Sequence, residues 1–219
     1  MRGTAVTTLA GDMILLAFDA EGGRLPVRQS LAPAVRGALL AELLDGGALT
    51  DEAGTAAGAV GEAPRDAALR EVWQRIAGEP GRKWLHWVRK DGRASIHEVL
   101  RGLEKDGLLE RSSGRVFGLF PLERVGLTPA GLAAAREVRA AVAAAAEVPT
   151  ARAADGGAAD GRAALLAGLA HAGGQLGTTL SADRRRALKD RLTALSEDAA
   201  PVSAAVRRAV QDLQGAAVS

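Results

Sequence analysis

Apolar positions recur three and four residues apart along most of the chain, which predicts a mainly helical protein. Leu31, Val35, Leu39 and Leu43 form one such row, opened by Ser30, with Pro33 in the first turn and Gly46-Gly47 as its stop. Leu69, Val72, Trp73 and Ile76 mark a second face behind Asp66, and Trp84, Trp87 and Val88 repeat it in a shorter helix. Thr8 is placed to cap a short helix leading into Ile14-Leu15-Leu16-Ala17-Phe18, and Thr128-Pro129 starts a long alanine-rich helix to about Glu147. Three helical patterns close the chain. Leu165, Leu169 and Leu176 mark the first; Leu188, Leu192 and Leu195 follow the cap Ser181; Val202, Val206, Ala209 and Leu213 follow Pro201. The stretch from Val148 to Gly161 has nothing to bury and reads as a low-complexity loop.

The periodicity changes inside Arg93–Arg124. Ser95 and Glu98 stand three apart like a capping box, Val99, Leu100 and Leu103 give an apolar stripe, and Gly107 is placed to end the helix left-handed. Leu108–Arg111 then reads as a strand, Ser112-Ser113-Gly114 as a turn and Arg115–Phe120 as the return strand. Val116, Phe117, Leu119 and Phe120 cannot all face one side of a two-stranded ribbon, so apolar surface is expected to point outward. Leu49-Thr50 and Ala59-Val60 suggest short strands, with an uninformative segment between them. The expectation is a single mainly α domain over residues 1–219, with a protruding β-hairpin at about 108–122 and minor short strands.

Composition narrows the chemistry. Twenty-eight basic residues against 26 acidic ones leave a net charge of +2, which forces no nucleic-acid assignment. With no cysteine, disulfides, thiolate metal sites and cysteine nucleophiles are excluded. Asp12 interrupts the N-terminal apolar run, so no signal peptide is read there, and no segment is apolar for long enough to span a bilayer. A cytoplasmic protein, associated peripherally with the inner face of a membrane, is expected. There is no Gly-x-Ser-x-Gly elbow, phosphate-loop motif or dinucleotide glycine pattern, and His86, His97 and His171 lack metal-ligand spacing. No enzyme activity, metal or cofactor is predicted.

The positive signal is basic residues interleaved with apolar and aromatic ones: Arg82, Lys83, Trp84, Trp87, Arg89, Lys90 and Arg93, then Phe117, Leu119 and Phe120. Arginine forks suit phosphate, and an apolar tip beside them suits insertion among acyl chains. Trp84 and Trp87, at helical spacing, are read as core. Two other readings stand beside this one. Helix, hairpin and Leu127-Thr-Pro-Ala-Gly131 together look like a winged-helix DNA-binding module, though Glu98, Glu104 and Asp106 on the helix would repel phosphates. The hairpin would alternatively seat on a protein partner or a second copy of the chain.

With those residues in view, the chain resembles the Golgi phosphoprotein 3 family, specifically its shorter bacterial members. The matching pieces are Leu15–Gly22, Val35–Leu49, Val99–Leu109, Gly118-Leu-Phe-Pro121, Leu165–Ala172 and Arg184–Lys189, in that order. The resemblance implies a compact helical domain that binds membranes peripherally and without catalysis. In eukaryotic relatives an exposed hairpin enters the bilayer, a basic pocket holds the headgroup of phosphatidylinositol 4-phosphate, and glycosyltransferase tails are bound. By position, two pocket arginines fall on Arg36 and Arg93, while Val27 and Ile96 stand where the family has a tryptophan and an arginine. Arg89, Lys90 and Arg101 would then complete a less selective phosphate site. Val116, Phe117, Leu119 and Phe120 would insert or self-associate, and a membrane-protein client is a further implied partner.

Overall fold

The computed structural model describes residues 7–19, 24–26, 28–59, 61–116, 120–148 and 158–217. Helix α1 (Leu9–Ala17) lies at its centre, and all 9 of its residues are buried. The Thr8 hydroxyl accepts from the Gly11 N–H at 3.0 Å, the predicted cap. Helix α2 (Leu31–Asp45) packs along α1 and is nearly as enclosed. Next come α3 (Ala67–Gly78), capped by Asp66 on the Leu69 N–H at 2.9 Å, and α4 (Trp84–Arg89); both lie against α2.

Helices α5 (Gly92–Lys105), α6 (Pro129–Glu147) and α7 (Ala158–Ala172) complete the wall around α1. Helix α9 (Lys189–Asp198) covers α7, the short α8 (Ala182–Ala187) packs on α9, and α10 (Val202–Ala216) closes over α2, α4 and α7. A side chain at Gly168 would put its Cβ 2.2 Å from the Leu195 carbonyl oxygen, so α7 and α9 cross only because that position is glycine.

The strands are secondary. Strands β1 (Leu49–Glu52), β2 (Thr55–Gly58) and β3 (Arg82–Lys83) form an antiparallel sheet in that order, with Leu49 opposite Gly58 and Thr55 opposite Lys83. The link at Ala53-Gly54 has both φ angles positive, at 50° and 87°, as a two-residue hairpin of this hand needs. The segment that looked uninformative is therefore the hairpin itself. Ala59 lies beyond β2, and Val60 is outside the described residues.

Strands β4 (Leu109–Val116) and β5 (Phe120–Leu127) pair as a separate hairpin, from Leu109 opposite Leu127 to Val116 opposite Phe120. The turn expected at Ser112-Ser113-Gly114 is instead mid-strand, facing Arg124, Glu123 and Leu122. Extending the ladder satisfies more backbone donors and acceptors than an early turn would, which outweighs the turn preference of Ser and Gly. Eight residues at about 3.3 Å each make an arm of roughly 26 Å. Leu109 and Leu127 bury its base, and the Thr128 hydroxyl donates to the Gly107 carbonyl at 2.7 Å and accepts from the Gly131 N–H at 3.0 Å.

The fold is mainly α with a minor β-hairpin, as predicted. Four local expectations change. Helix α5 starts at Gly92, so Ser95 is inside the first turns rather than at a cap. Helix α7 already includes Ala158–Gly161, because Arg162 beyond them finds carboxylate partners on α1 and α2; residues 149–157 of the expected loop lie outside the described residues. The second C-terminal pattern is split at Leu188 into α8 and α9. Leu213, expected inward, is 38% exposed near the end of α10.

Candidate anion-binding site

The first turn of α5 packs directly on the first turn of α2. A Cβ at Gly92 would stand 3.1 Å from Ala32 Cβ and 3.4 Å from the Ala32 carbonyl oxygen, so glycine sets this approach. Neither helix has a side-chain cap: Ser30 and Asp91 make no cap hydrogen bond. The Ser30 hydroxyl instead accepts from Gln175 Nε2 at 2.9 Å, and Asp91, held left-handed at φ 58°, pairs with Arg75 at 2.8 Å. Two helices of 15 and 14 residues thus meet at their N-termini, where α5 leaves the N–H groups of Gly92, Arg93 and Ala94 without intrahelical partners. On α2 the Leu31 N–H is taken by the Arg28 carbonyl at 3.0 Å and Pro33 has none, which leaves Ala32. The positive ends of both helix dipoles favour an anion there.

Arg36 lies beneath this junction and is completely enclosed, at 0% exposure. Its Nε donates to the Trp87 carbonyl at 3.0 Å and its Nη1 to the Ser95 hydroxyl at 3.0 Å, while Nη2 finds no partner among the described residues. Burial pushes its pKa down to about 10, and the nearby Asp91 and Glu71 carboxylates pull it back, so the guanidinium stays charged at neutral pH. An arginine on α2 thereby fixes the end of α4 and the first turns of α5 together. Sequence reasoning singled out Arg36 but assigned Ser95 to the wrong task.

The other expected cations fare differently. Arg93 is exposed in the first turn of α5, and among the described residues no group accepts from its guanidinium. Arg89 pairs with Asp212, and Arg101 with Glu98. Lys90 pairs with Glu79 at 2.5 Å and sits 5.0 Å over the Trp87 ring. Ile96 is half-buried against the core, and Val27 lies outside the described residues. Trp84 and Trp87 are core, as expected. Of the hairpin residues, Val116 and Phe120 form the last pair of β4 and β5, and Phe117 and Leu119 lie outside the described residues.

One pattern escaped the sequence reading. Arg93, His97, Arg101 and Lys105 are all exposed, four residues apart, and so form a basic row along α5 about 18 Å long at about 1.5 Å per residue. The periodicity was legible in the sequence, but which face of α5 stays open was not.

Comparison with known families settles the ancestry. The sequence model described as Golgi phosphoprotein 3 (GPP34) matches residues 9–213, from the start of α1 almost to the end of α10. The chain belongs to the Golgi phosphoprotein 3 family. A comparison with curated proteins finds no match. The matched range takes in every element of the α2–α5 junction, so the uncapped helix pair, Arg36 and Arg93 are all part of the Golgi phosphoprotein 3 domain. No helix among the described residues is long and apolar enough to cross a membrane.

Proposed function

We propose that this chain is a peripheral membrane protein that recognises anionic phospholipid headgroups of the phosphatidylinositol 4-phosphate type and catalyses no reaction. The observation that carries the reading is the junction of two uncapped helix N-termini, with the exposed Arg93 on its rim and the buried charge of Arg36 below. A phosphate placed there accepts from Arg93 and from first-turn N–H groups. Arg36 positions that turn through Ser95 and adds its field from beneath rather than reaching solvent. Arg89, Lys90 and Arg101 already serve carboxylates, so they tune the local potential, together with the rest of the α5 row, rather than grip a headgroup. The apolar end of the hairpin, Val116 to Phe120, supplies insertion at about 0.8 kcal/mol per buried methylene, so charge and insertion act together.

The test is flotation of the full chain with neutral, phosphatidylserine-containing and phosphatidylinositol 4-phosphate-containing vesicles. Wild type is expected to float with the phosphoinositide vesicles first. Arg93→Ala should weaken that binding about tenfold, and Phe117→Ser/Phe120→Ser should abolish it. Equal binding of wild type and Arg93→Ala, or binding to an unrelated DNA duplex but to no vesicle, overturns the reading.

A further inference from the structure

A second cluster of cations lies at the short 3-10 turn Leu176–Thr178, which is tied to Ser30 at the start of α2. The Gln175 side chain ties this turn to Ser30 at 2.9 Å and to its own loop through the Gly173 carbonyl at 2.8 Å. The Thr178 hydroxyl ties it to the end of α1 through the Leu16 carbonyl at 2.6 Å. Three side-chain hydrogen bonds thus anchor the turn.

At its centre is Gly177. Apart from the glycine's chain neighbours, the only described atoms within 4 Å of the point where a Cβ would sit are two guanidinium nitrogens. Arg28 Nη1 is 3.6 Å away and Arg185 Nη1 is 4.0 Å away. The two cations are therefore within roughly 8 Å of each other, a gap that one phosphate accepting from both at about 2.8 Å per contact can bridge.

Among the described residues no carboxylate pairs with either of them. Arg28 is exposed, and among the described residues its guanidinium has no hydrogen bond or ion pair. Among the described residues Arg185 donates to one acceptor, the neutral Leu180 carbonyl. The acid on that helix and one from α6 pair with its other arginines: Asp183 with Arg186 at 3.1 Å, and Glu147 with Arg184 at 2.7 Å. Two like charges held over an empty glycine, without a counter-ion, repel each other unless an anion comes between them.

We propose that Arg28 and Arg185, whose guanidiniums both come within 4.0 Å of the Gly177 Cβ position, form a second anion-binding site that takes a phosphate group. Arg28 reaches it from the loop before α2 and Arg185 from α8, so the bound phosphate clamps the N-terminal and C-terminal parts of the chain together. The absent side chain at Gly177 is what leaves room for it. The inference stands apart from the α2–α5 junction: it uses different residues and survives if that site binds nothing.

The experiment is an amide-shift titration of the full chain with inorganic phosphate at fixed ionic strength, following the Gly177 N–H. Wild type is expected to saturate. Arg28→Ala, which removes no bond of the fold, should weaken binding at least tenfold, and Gly177→Glu, which inserts a carboxylate between the guanidiniums, should abolish it. Arg186→Ala, which removes a neighbouring but paired cation, should leave the affinity unchanged. The proposal is overturned if the Gly177 amide does not respond, or if Arg28→Ala and Arg186→Ala weaken binding equally, since that would mark diffuse charge only. A parallel flotation with phosphatidic acid vesicles identifies the source: a defect in Arg28→Ala there means a lipid headgroup, and a defect confined to the phosphate titration means free phosphate.

Discussion

Arg162 offers the sharpest test of how the three central helices are held. From α7 it donates to Asp12 of α1 through Nε at 3.1 Å and Nη2 at 2.8 Å, to Glu42 of α2 at 3.5 Å, and to the Thr7 carbonyl at 2.7 Å. Asp12 is 6% exposed. Its other oxygen accepts from the Thr7 hydroxyl, and Glu42 also accepts from the Leu9 N–H at 2.6 Å. Arg162→Met keeps the bulk and removes the cation, leaving the buried Asp12 and the half-buried Glu42 carboxylates to repel each other. Losing one partner of a fully buried pair costs about 3–5 kcal/mol, and because the Arg162 side chain is 34% exposed, screening reduces the expected loss to about 2–3 kcal/mol.

The pH dependence follows from the same contacts. Burial raises the pKa of Asp12 above its ordinary 3.8 and that of Glu42 above 4.5, and Arg162 opposes both shifts. A carboxyl whose pKa is raised on folding binds its proton more readily in the folded state. Its burial therefore costs stability above the raised value and nothing below the unfolded one. Without Arg162 both shifts grow, so the gap between variant and wild type should be widest near neutral pH and close as the carboxyls take up protons towards about pH 4. Urea unfolding followed by tryptophan fluorescence measures it, with Trp84 and Trp87 reporting from the core. A gap under about 1 kcal/mol at neutral pH, or one that stays constant on acidification, refutes the argument.

Three further predictions concern packing, backbone and capping. Gly168→Ala drives a Cβ to 2.2 Å from a backbone oxygen, so at least 2 kcal/mol of stability should be lost as α7 and α9 separate, on the order of other overpacked cores; a thermal melt unchanged within error would refute the crossing. Gly102→Ala, inside α5 with nothing within 4 Å of its Cβ, should stabilise by about 0.4–1 kcal/mol in the same assay. Thr128→Ala removes a cap on α6 and a bond to Gly107, and a loss of about 1–2 kcal/mol is expected by urea unfolding.

What the sequence disclosed follows the range of each signal. The caps Thr8, Asp66, Thr128 and Ser181 act on N–H groups three residues away, so their helices were legible from local pattern alone. The left-handed exit at Gly107, with φ 72°, was legible for the same reason. Ser95 misled because its hydroxyl belongs to Arg36, 59 residues earlier. The early hairpin turn failed because strand pairing is decided across the arm rather than at three turn-forming residues. The meeting of Arg28 with Arg185 depends on a fold that brings together residues far apart in sequence, which no window along the chain can register.

The enclosure of α1 bears on how the chain emerges from the ribosome. Each face of α1 is covered by α2, α5, α6 or α7, all made after it, and the last of these begins at Ala158. For most of synthesis, then, Leu9–Ala17 has no complete lodging and offers a short apolar segment to any chaperone at the tunnel exit. A chain stalled or cut before α7 leaves that segment uncovered, which makes early truncation products targets for proteolysis rather than partly working proteins.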